Sequence, residues 1–568
     1  MKLRASTVTD GYKLGHGMMY ADGTTKVYSN LTPRSDKIYR RNCTEFYDGN
    51  LVFVGAQGAV QEIKELWDDS FFSQPKEKVI GKYAERMAGY LGGNDNAVNQ
   101  LAELHDLGYL PLEFKALPEG SLVPMGVPVV TVTNTVPSAF WLVNYLETVI
   151  SNLTWKTATN ATIAREYKKI CQHFAALTGV DDFTVSVQCH DFSERGMSGP
   201  EDAARVGFAH LTSFIGTDTL PAMDYAEDYY DAEGLIAISV PATEHAVATN
   251  NILSIEQSQD GWVIPVGWDL RTYAEMKFLN DLISRKFPTG IVSYVADSFD
   301  FWSVLTDILP SLKDVIVSRE AAGVAPGKLV IRPDSGDPVQ VVCGLKFTNY
   351  EQALEDWVEG NTADPEYVYD VLEKDGKFYK FETDADYYYW DDDAHNQKIE
   401  LKEEVPACEV KGAIQVLWET FGGTTTDKGY KLLDSHIGLI YGDSITTKRA
   451  LEILTRLEQK GFASGNVVFG VGSYTYQCNT RDTFGFAVKA TYSVVNGKAV
   501  NIFKDPKTDS KKKSAKGLLK VEKDENDKFV LLDQVSESEE KEGLLQTIFK
   551  DGELLNRVTL DTIRSRLS

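Results

Sequence analysis

IAISVPATEH at 236–245, SYVADSFD at 293–300, KLVIRPDSG at 328–336 and GLIYGDS at 438–444 decide the fold of this chain. Each run holds several β-branched or aromatic residues with little polar alternation, as a strand buried on both faces of a parallel sheet requires. Each then delivers a polar group where the strand would stop: His245, Asp297, Arg332 with Asp334, or Asp443. Functional groups gather in this way at the C-terminal rim of a (β/α) barrel or an open α/β sheet. The spacing leaves room for a helix after each run. The expected fold is therefore α/β, with a barrel-like core over about 180–485.

Outside that core the pattern changes. LPLEFKALPEGSLVPMGVPVVTVTNT at 110–135 alternates apolar and polar residues around Pro/Gly breaks and predicts a small antiparallel unit. Residues 59–95 and 138–175 have helical spacing, the latter split near Thr154. After 485, FAVKATYSVVNGKAVNIFKD with Asn-Gly at its turn, then GLLKVEKDENDKFVLL, predict further strands. A short C-terminal helix would be capped by Thr559 or Asp561. The expectation is a β-rich domain built from 1–150 and 485–568. The core is interrupted over 341–430, where YVYDVLEKDGKFYKFE (367–382) predicts a hairpin and DADYYYWDDDAHNQ (384–397) an acidic, aromatic surface segment. This reads as an inserted surface subdomain.

The chain has 568 residues, with 58 Lys plus Arg against 83 Asp plus Glu, a formal charge of −25. That field repels nucleic acid and anionic membrane, so an anionic substrate needs a local basic site. The six cysteines are dispersed, with no zinc-like spacing, and imply reduced thiols. No apolar leader and no membrane-length apolar run occurs, so a cytoplasmic protein is expected.

Arg34, Arg195, Arg332, Arg481, Lys489, Lys504 and Lys512, several beside Gly-rich turns, suit polyphosphate, because Arg forks onto phosphate oxygens and Gly admits the backbone. Asp297, Asp334 and Asp443 could gather Mg²⁺ around a diphosphate, though each also reads as a cap or an ion-pair partner. His245 reads as a base, a metal ligand, a phosphoryl acceptor or a structural histidine, and His190 is similar. Phe192 and Tyr12 sit in polar, glycine-containing turns where they would stack on a planar ring or plug a core. FGVGSYTYQ at 469–477 is a weak phosphate signal alone, and neither a Rossmann nor a Walker motif is placed to bind.

TDGYK (9–13), HDFSERG (190–196), FIGTDT (214–219), SVPATEH (239–245), ADSFD (296–300), IRPDSG (331–336), YGDS (441–444), FGVGS (469–473), TRD (480–482) and NIFKDP (501–506) occur together in one order. In that series the chain resembles the nicotinamide phosphoribosyltransferases, of the type II phosphoribosyltransferase family. The resemblance implies a homodimer that converts nicotinamide and 5-phosphoribosyl 1-diphosphate into nicotinamide mononucleotide and diphosphate. Phe192 and, from the other subunit, Tyr12 would sandwich the pyridine ring; Asp218 would meet the carboxamide, with Arg195, Ser239 and Ser293 nearby. Arg332, Asp334, Gly442, Asp443 and the Gly472–Ser473 turn would hold the ribose and 5-phosphate. Arg34, Arg481, Lys489 and Lys504 of the partner, and Lys512, would meet diphosphate or ATP phosphates. Asp297 and in part Asp10 would support Mg²⁺ or the histidine, and His245 would be phosphorylated by the co-substrate ATP.

Two positions depart from that pattern: Ser473 replaces the second of paired glycines, and Ala487 a serine two before Lys489. Two other readings stay open, nicotinate as substrate and a non-enzymatic binding protein on the same fold. Asp218 discriminates against nicotinate, since like charges 4 Å apart cost roughly 4 kcal/mol at an effective dielectric of about 20.

Overall fold

The computed structural model describes residues 3–258, 263–358, 369–383, 399–442, 444–503 and 515–568. The chain divides into two compact units, one of Met1–Lys168, Ser193–Ala237 and Ser473–Ser568, the other of Lys169–Phe192 and Ile238–Gly472.

The first unit joins both ends of the chain in one seven-stranded sheet. Its order is Lys498–Asn501, Ala487–Val495, Thr24–Thr32, Val130–Asn134, Leu112–Ala116, Gln546–Lys550 and Glu553–Leu554, antiparallel throughout. Register is fixed by large apolar pairs: Tyr28 lies opposite Tyr492, and Phe114 opposite Phe549 with ring centroids 5.8 Å apart. The predicted Asn-Gly turn is present, with Asn496 and Gly497 at φ 50° and 73°, the left-handed pair that a two-residue hairpin needs. Thr559 caps the last helix, Leu560–Leu567, accepting from the Thr562 N–H.

The second unit holds a parallel sheet in the order Cys189–Asp191, Val467–Val471, Ile437–Tyr441, Lys328–Arg332 and Ile291–Val295. Helices such as Leu270–Asp281 and Thr447–Gln459 lie between successive strands in the sequence. Leu329, Ile331, Leu439, Val467, Phe469 and Val471 are buried, as continuous apolar runs require when both faces are covered. This is the expected α/β, barrel-like core.

Several expectations differ from the structure in detail. The run 236–245 forms no regular strand. It holds bridge residues at Ile238 and Ala242, the latter pairing in parallel with Ser293, where the Ser293 N–H donates to the Pro241 carbonyl and the Thr243 N–H to the Ser293 carbonyl. Pro241 has no N–H to extend the ladder. The helix Glu147–Thr178 runs unbroken through Thr154, with the hydroxyls of Thr154, Thr159 and Thr162 satisfied by the carbonyls of Ile150, Trp155 and Ala158 one turn back. Residues 193–237, placed by sequence within the 180–485 core, cluster with the terminal segments instead. Helices Pro200–Leu211 and Pro221–Tyr230 bury Phe208, Tyr225 and Tyr230 with Val52, Val54 and Ile563.

Within 341–430 a four-stranded sheet forms from Phe347–Asn349, Val371–Lys374, Lys377–Thr383 and Ile399–Val405. The predicted hairpin turns at Asp375 and Gly376, φ 55° and 76°. The segment 384–397 lies outside the described residues, as does most of the basic run at 507–517. All six cysteines are free, and among the described residues no helix is long and apolar enough to cross a membrane.

Candidate active site

Five sequence-selected residues of the second unit converge where its parallel strands end. Lys328–Arg332 delivers Arg332 and, after Pro333, Asp334; Ile291–Val295 delivers Asp297; His245 opens the helix His245–Gln257. The imidazole Nε2 stands 3.6 Å from Asp297 Oδ1 and 3.7 Å from Asp334 Oδ2, and Ser298 Oγ is 3.5 Å from Nδ1. The His245 side chain is 47% exposed while that of Asp297 is only 6% exposed, so the histidine faces outward over a carboxylate held from below.

Two charged atoms here are buried with no hydrogen-bond partner, Asp297 Oδ1 and Arg332 Nε. Most buried polar groups are paired, so an anion and a cation without hydrogen bonds at one strand rim, the anion facing His245 at 3.6 Å, suit the binding of a polar molecule. Arg332 is anchored at its other nitrogen, Nη2 donating to the Thr243 carbonyl at 3.3 Å. Thr243 in turn accepts from the Val295 N–H through its hydroxyl at 2.9 Å. The loop after Arg332 is fixed by Tyr441, whose hydroxyl reaches the carbonyls of Ser335 and Gly336 at 2.9 Å each.

Phe192 completes the group. Its N–H donates to the Val471 carbonyl at 3.0 Å, and its ring lies over backbone that has no side chain beneath it. A Cβ on Gly470 would meet the ring at 2.5 Å, and one on Gly442 would meet Asp334 Oδ1 at 3.0 Å and the Phe192 ring at 3.6 Å. The ring, Arg332 and Asp334 thus share one small patch that requires glycine at 470 and leaves little room for a side chain at 442. Ser293 is buried in its strand, Ser239 is exposed, and Gly472 follows Val467–Val471. Asp443 lies outside the described residues.

The other selected residues belong to the first unit. Asp10 precedes the turn Gly11–Gly15 and accepts from the Thr148 hydroxyl at 2.7 Å, and Tyr12 is 66% exposed. Arg34 donates through Nε to the Gly485 carbonyl at 2.9 Å, which ties it to the turn after Arg481; Lys489 lies opposite Asn30. Arg195 is exposed in the 3-10 turn Glu194–Gly196, and Asp218 is exposed just after the strand Gly216–Thr217. Ser473 starts the helix Ser473–Gln477, and a Cβ on Gly196 would lie 2.1 Å from its hydroxyl, so the serine packs closely against the turn after Arg195. Ala487 opens a strand opposite Thr32. Lys504 and Lys512 lie outside the described residues.

Sequence reasoning missed the layer behind Asp297. Tyr294, on the same strand, donates its hydroxyl to Glu275 Oε1 at 2.6 Å, and both are buried. Burial pushes the Glu275 carboxyl up to about 7, against the Tyr294 hydrogen bond, and the charges of Asp300 and Asp297 push the same way. Nothing in the helical run around Glu275 marks it, but Gly470, inside a strand run, was a readable sign of close approach.

Among the described residues no group of three or more His, Cys, Asp or Glu forms a metal cage. Asp297 and Asp334 nevertheless suit Mg²⁺, which usually takes one or two carboxylates and fills its remaining positions with water and substrate phosphates.

The chain is similar to several known proteins. A protein of Acinetobacter baylyi named nicotinamide phosphoribosyltransferase is 46% identical over 98% of this chain and 96% of its own length. One of the same name from Mycoplasma pneumoniae is 31% identical over 89% of this chain and 93% of its own. The crystal structure of human nicotinic acid phosphoribosyltransferase aligns at a TM-score of 0.48 and 14% identity, covering 98% of this chain and 92% of that one. Residues 187–553, which include the whole strand-end cluster, match a single family, and on that match and the full-length relatives the chain belongs to the nicotinate phosphoribosyltransferase (NAPRTase) family.

Proposed function

We propose that the chain transfers the 5-phosphoribosyl group of 5-phosphoribosyl 1-diphosphate to the ring nitrogen of nicotinamide, releasing diphosphate, with ATP hydrolysis coupled through His245. The observation that carries this reading is the orphaned pair Asp297 Oδ1 and Arg332 Nε beside His245 and the Phe192 ring. The names of the full-length relatives support the same acceptor.

Nicotinamide needs no base, because its pyridine nitrogen is already a nucleophile. The N–C1 bond forms as the C1–O bond to diphosphate breaks, and positive charge develops on the ribose in between. The chain therefore orients two reactants and stabilises a leaving anion, effects that together can supply roughly 7–11 kcal/mol or more. Phe192 offers one face for the flat ring, and the glycines at 442 and 470 let it lie close to Arg332 and Asp334. Arg332 holds phosphate oxygens with the donors left free by its bond to Thr243. Asp297 and Asp334 would hold Mg²⁺, which neutralises charge on the departing diphosphate when bound.

His245 takes the terminal phosphoryl group of ATP: an N–P bond forms, the P–O bond to ADP breaks and ADP leaves. Water later cleaves the N–P bond to give phosphate. Asp297, buried beneath, orients the imidazole and offsets its positive charge. In a homodimer, Tyr12, Arg34, Arg481, Lys489, Lys504 and Lys512 of one subunit would complete the site of the other. All are in the N- or C-terminal segments rather than in the unit that holds His245.

Nicotinate is the second reading, favoured by the description of the matching family. Asp218 opposes it by charge. Purified protein assayed with nicotinamide or nicotinate, each with and without ATP and with Mg²⁺, tests both. Nicotinamide mononucleotide should form, faster with ATP, and nicotinate should be used at least about 100-fold less well. Preferential use of nicotinate would overturn the reading, and Asp218→Asn leaving the preference unchanged would remove Asp218 from it.

A further inference from the structure

A cavity of about 600 Å³ in the second unit lies apart from the strand-end cluster, between the inserted sheet and the helices Pro338–Cys343, Ala407–Lys411 and Thr447–Gln459. Its size falls within the roughly 300–1,000 Å³ of small-molecule sites. In a chain of net charge −25, its wall carries Lys346, Lys411, Arg456 and Lys460, with no carboxylate among the described lining residues.

Part of that positive charge serves the fold. Arg456 donates to the Gly344 carbonyl at 2.6 Å, and Lys460 to the carbonyls of Cys343 and Lys411 at 2.7 Å each, at helix C-termini where cations are favoured. Those bonds leave four of the five guanidinium donors and one ammonium donor. Lys411 pairs with Glu419 at 2.7 Å. The Lys346 ammonium has no ion-pair partner among the described residues. The nearby carboxylate Asp370 is occupied by neutral donors, the Gln340 amide at 3.1 Å and the Lys346 N–H at 2.7 Å. Burial, and the charge of Arg456 beside it, hold Lys460 below the usual ammonium range, a cost that an anion in the cavity would relieve.

The same wall is aromatic. Phe347 and Phe378 meet edge to face at 5.1 Å, yet Phe347 remains 51% exposed, so one face of its ring is open. A bare phosphate would have no use for that ring, and an apolar ligand none for the cations.

We propose that this cavity is a second ligand site, for a nucleoside monophosphate whose base stacks on Phe347 and whose phosphate is held by Lys346, Lys411 and the spare donors of Arg456 and Lys460. The proposal is independent of the catalytic reading, because it uses none of the strand-end residues.

Photolabelling of the full-length protein with 8-azidoadenosine 5′-monophosphate, followed by peptide mapping, tests it. Label should fall within 345–349, 369–380 or 407–415 and be displaced by AMP at concentrations about tenfold lower than by adenosine or inorganic phosphate. Lys346→Glu should cut this labelling about tenfold, with steady-state turnover unchanged. Phe347→Ala, at a half-exposed position, should do the same and decides the matter if the first variant fails to fold. Label confined to peptides bearing Phe192 or His245, undiminished label in the variants, displacement by phosphate as good as by AMP, or no label at millimolar probe would each overturn the site.

Discussion

The two large sheets differ in the charge of the buried polar groups they leave without a hydrogen bond. In the antiparallel sheet, Asn134 accepts from the Val27 N–H and donates to the carbonyls of Thr25 and Val136, each at 2.9 Å, so its amide closes the join between two strands. At the rim of the parallel sheet, Asp297 Oδ1 and Arg332 Nε are enclosed but have no hydrogen-bond partner. Among the described residues the antiparallel sheet leaves only neutral hydroxyls unpaired, those of Tyr28 and Thr491, whereas the rim of the parallel sheet leaves charged atoms so. The difference separates residues that hold the molecule together from residues that wait for something to bind.

The comparison can be broken by exchanging the expected effects. Phe114→Ala, deep in the antiparallel sheet against Phe549, should lose about 3–5 kcal/mol of stability, read by denaturant unfolding, while the folded fraction keeps its kcat. Asp297→Asn should behave in reverse, with activity down by about 100- to 1,000-fold and a melting temperature within a few degrees of the parent. A variant at 297 that unfolds while retaining specific activity would erase the distinction.

Glu275→Gln refines it, since Glu275, on the helix Leu270–Asp281, is hydrogen-bonded to the parallel sheet through Tyr294 but is itself buried. Its folded carboxyl titrates at about 7, above the ordinary value of 4.5, so the folded state holds a proton that the unfolded state has already lost. The stability tied to that proton is complete below about pH 4.5 and is lost as pH rises through 7. Glutamine mimics the protonated form, so the variant should match the parent at pH 4 and exceed it by about 3 kcal/mol at pH 8. A difference that does not vary with pH would show that the carboxyl is not held protonated.

The inserted sheet should matter least to turnover. Replacing all of 365–400 would remove Val371 and Leu372, which are 1% and 0% exposed, and leave neighbouring strands unpaired. Replacing only 384–398 with a Gly/Ser linker spares them. Turnover should then stay within about threefold, and a 100-fold loss would give the segment a part in the chemistry.

Legibility followed the same division. Parallel strands were readable because burial on both faces demands a continuous apolar run and leaves polar groups only at the ends, which is how Arg332, Asp297 and His245 stood out. The run ending at His245 misled in one respect: its composition is that of a strand, but it forms isolated bridges at Ile238 and Ala242, on either side of Pro241, and no regular strand. The helix looked split near Thr154 because threonine is a poor helix former, while the bond of its hydroxyl to the Ile150 carbonyl leaves no trace in the sequence. Glu275 was invisible for a different reason. Its neighbours, Tyr294 and Asp297, meet it only through packing of a helix under a strand, and no local pattern encodes that.

The sheet that unites the two chain ends has a consequence for synthesis. Asn30 and Lys489 are neighbours across strands, yet 459 residues separate them. At about 5–20 residues per second, the strand Thr24–Thr32 leaves the ribosome roughly half a minute to a minute and a half before its partner exists. Val130–Asn134 can cover one edge early, but the other stays open while all of 238–472 is made. The nascent chain therefore carries an exposed, apolar strand edge through most of its translation, and its yield should depend on chaperones or growth temperature more than the finished protein's stability would suggest.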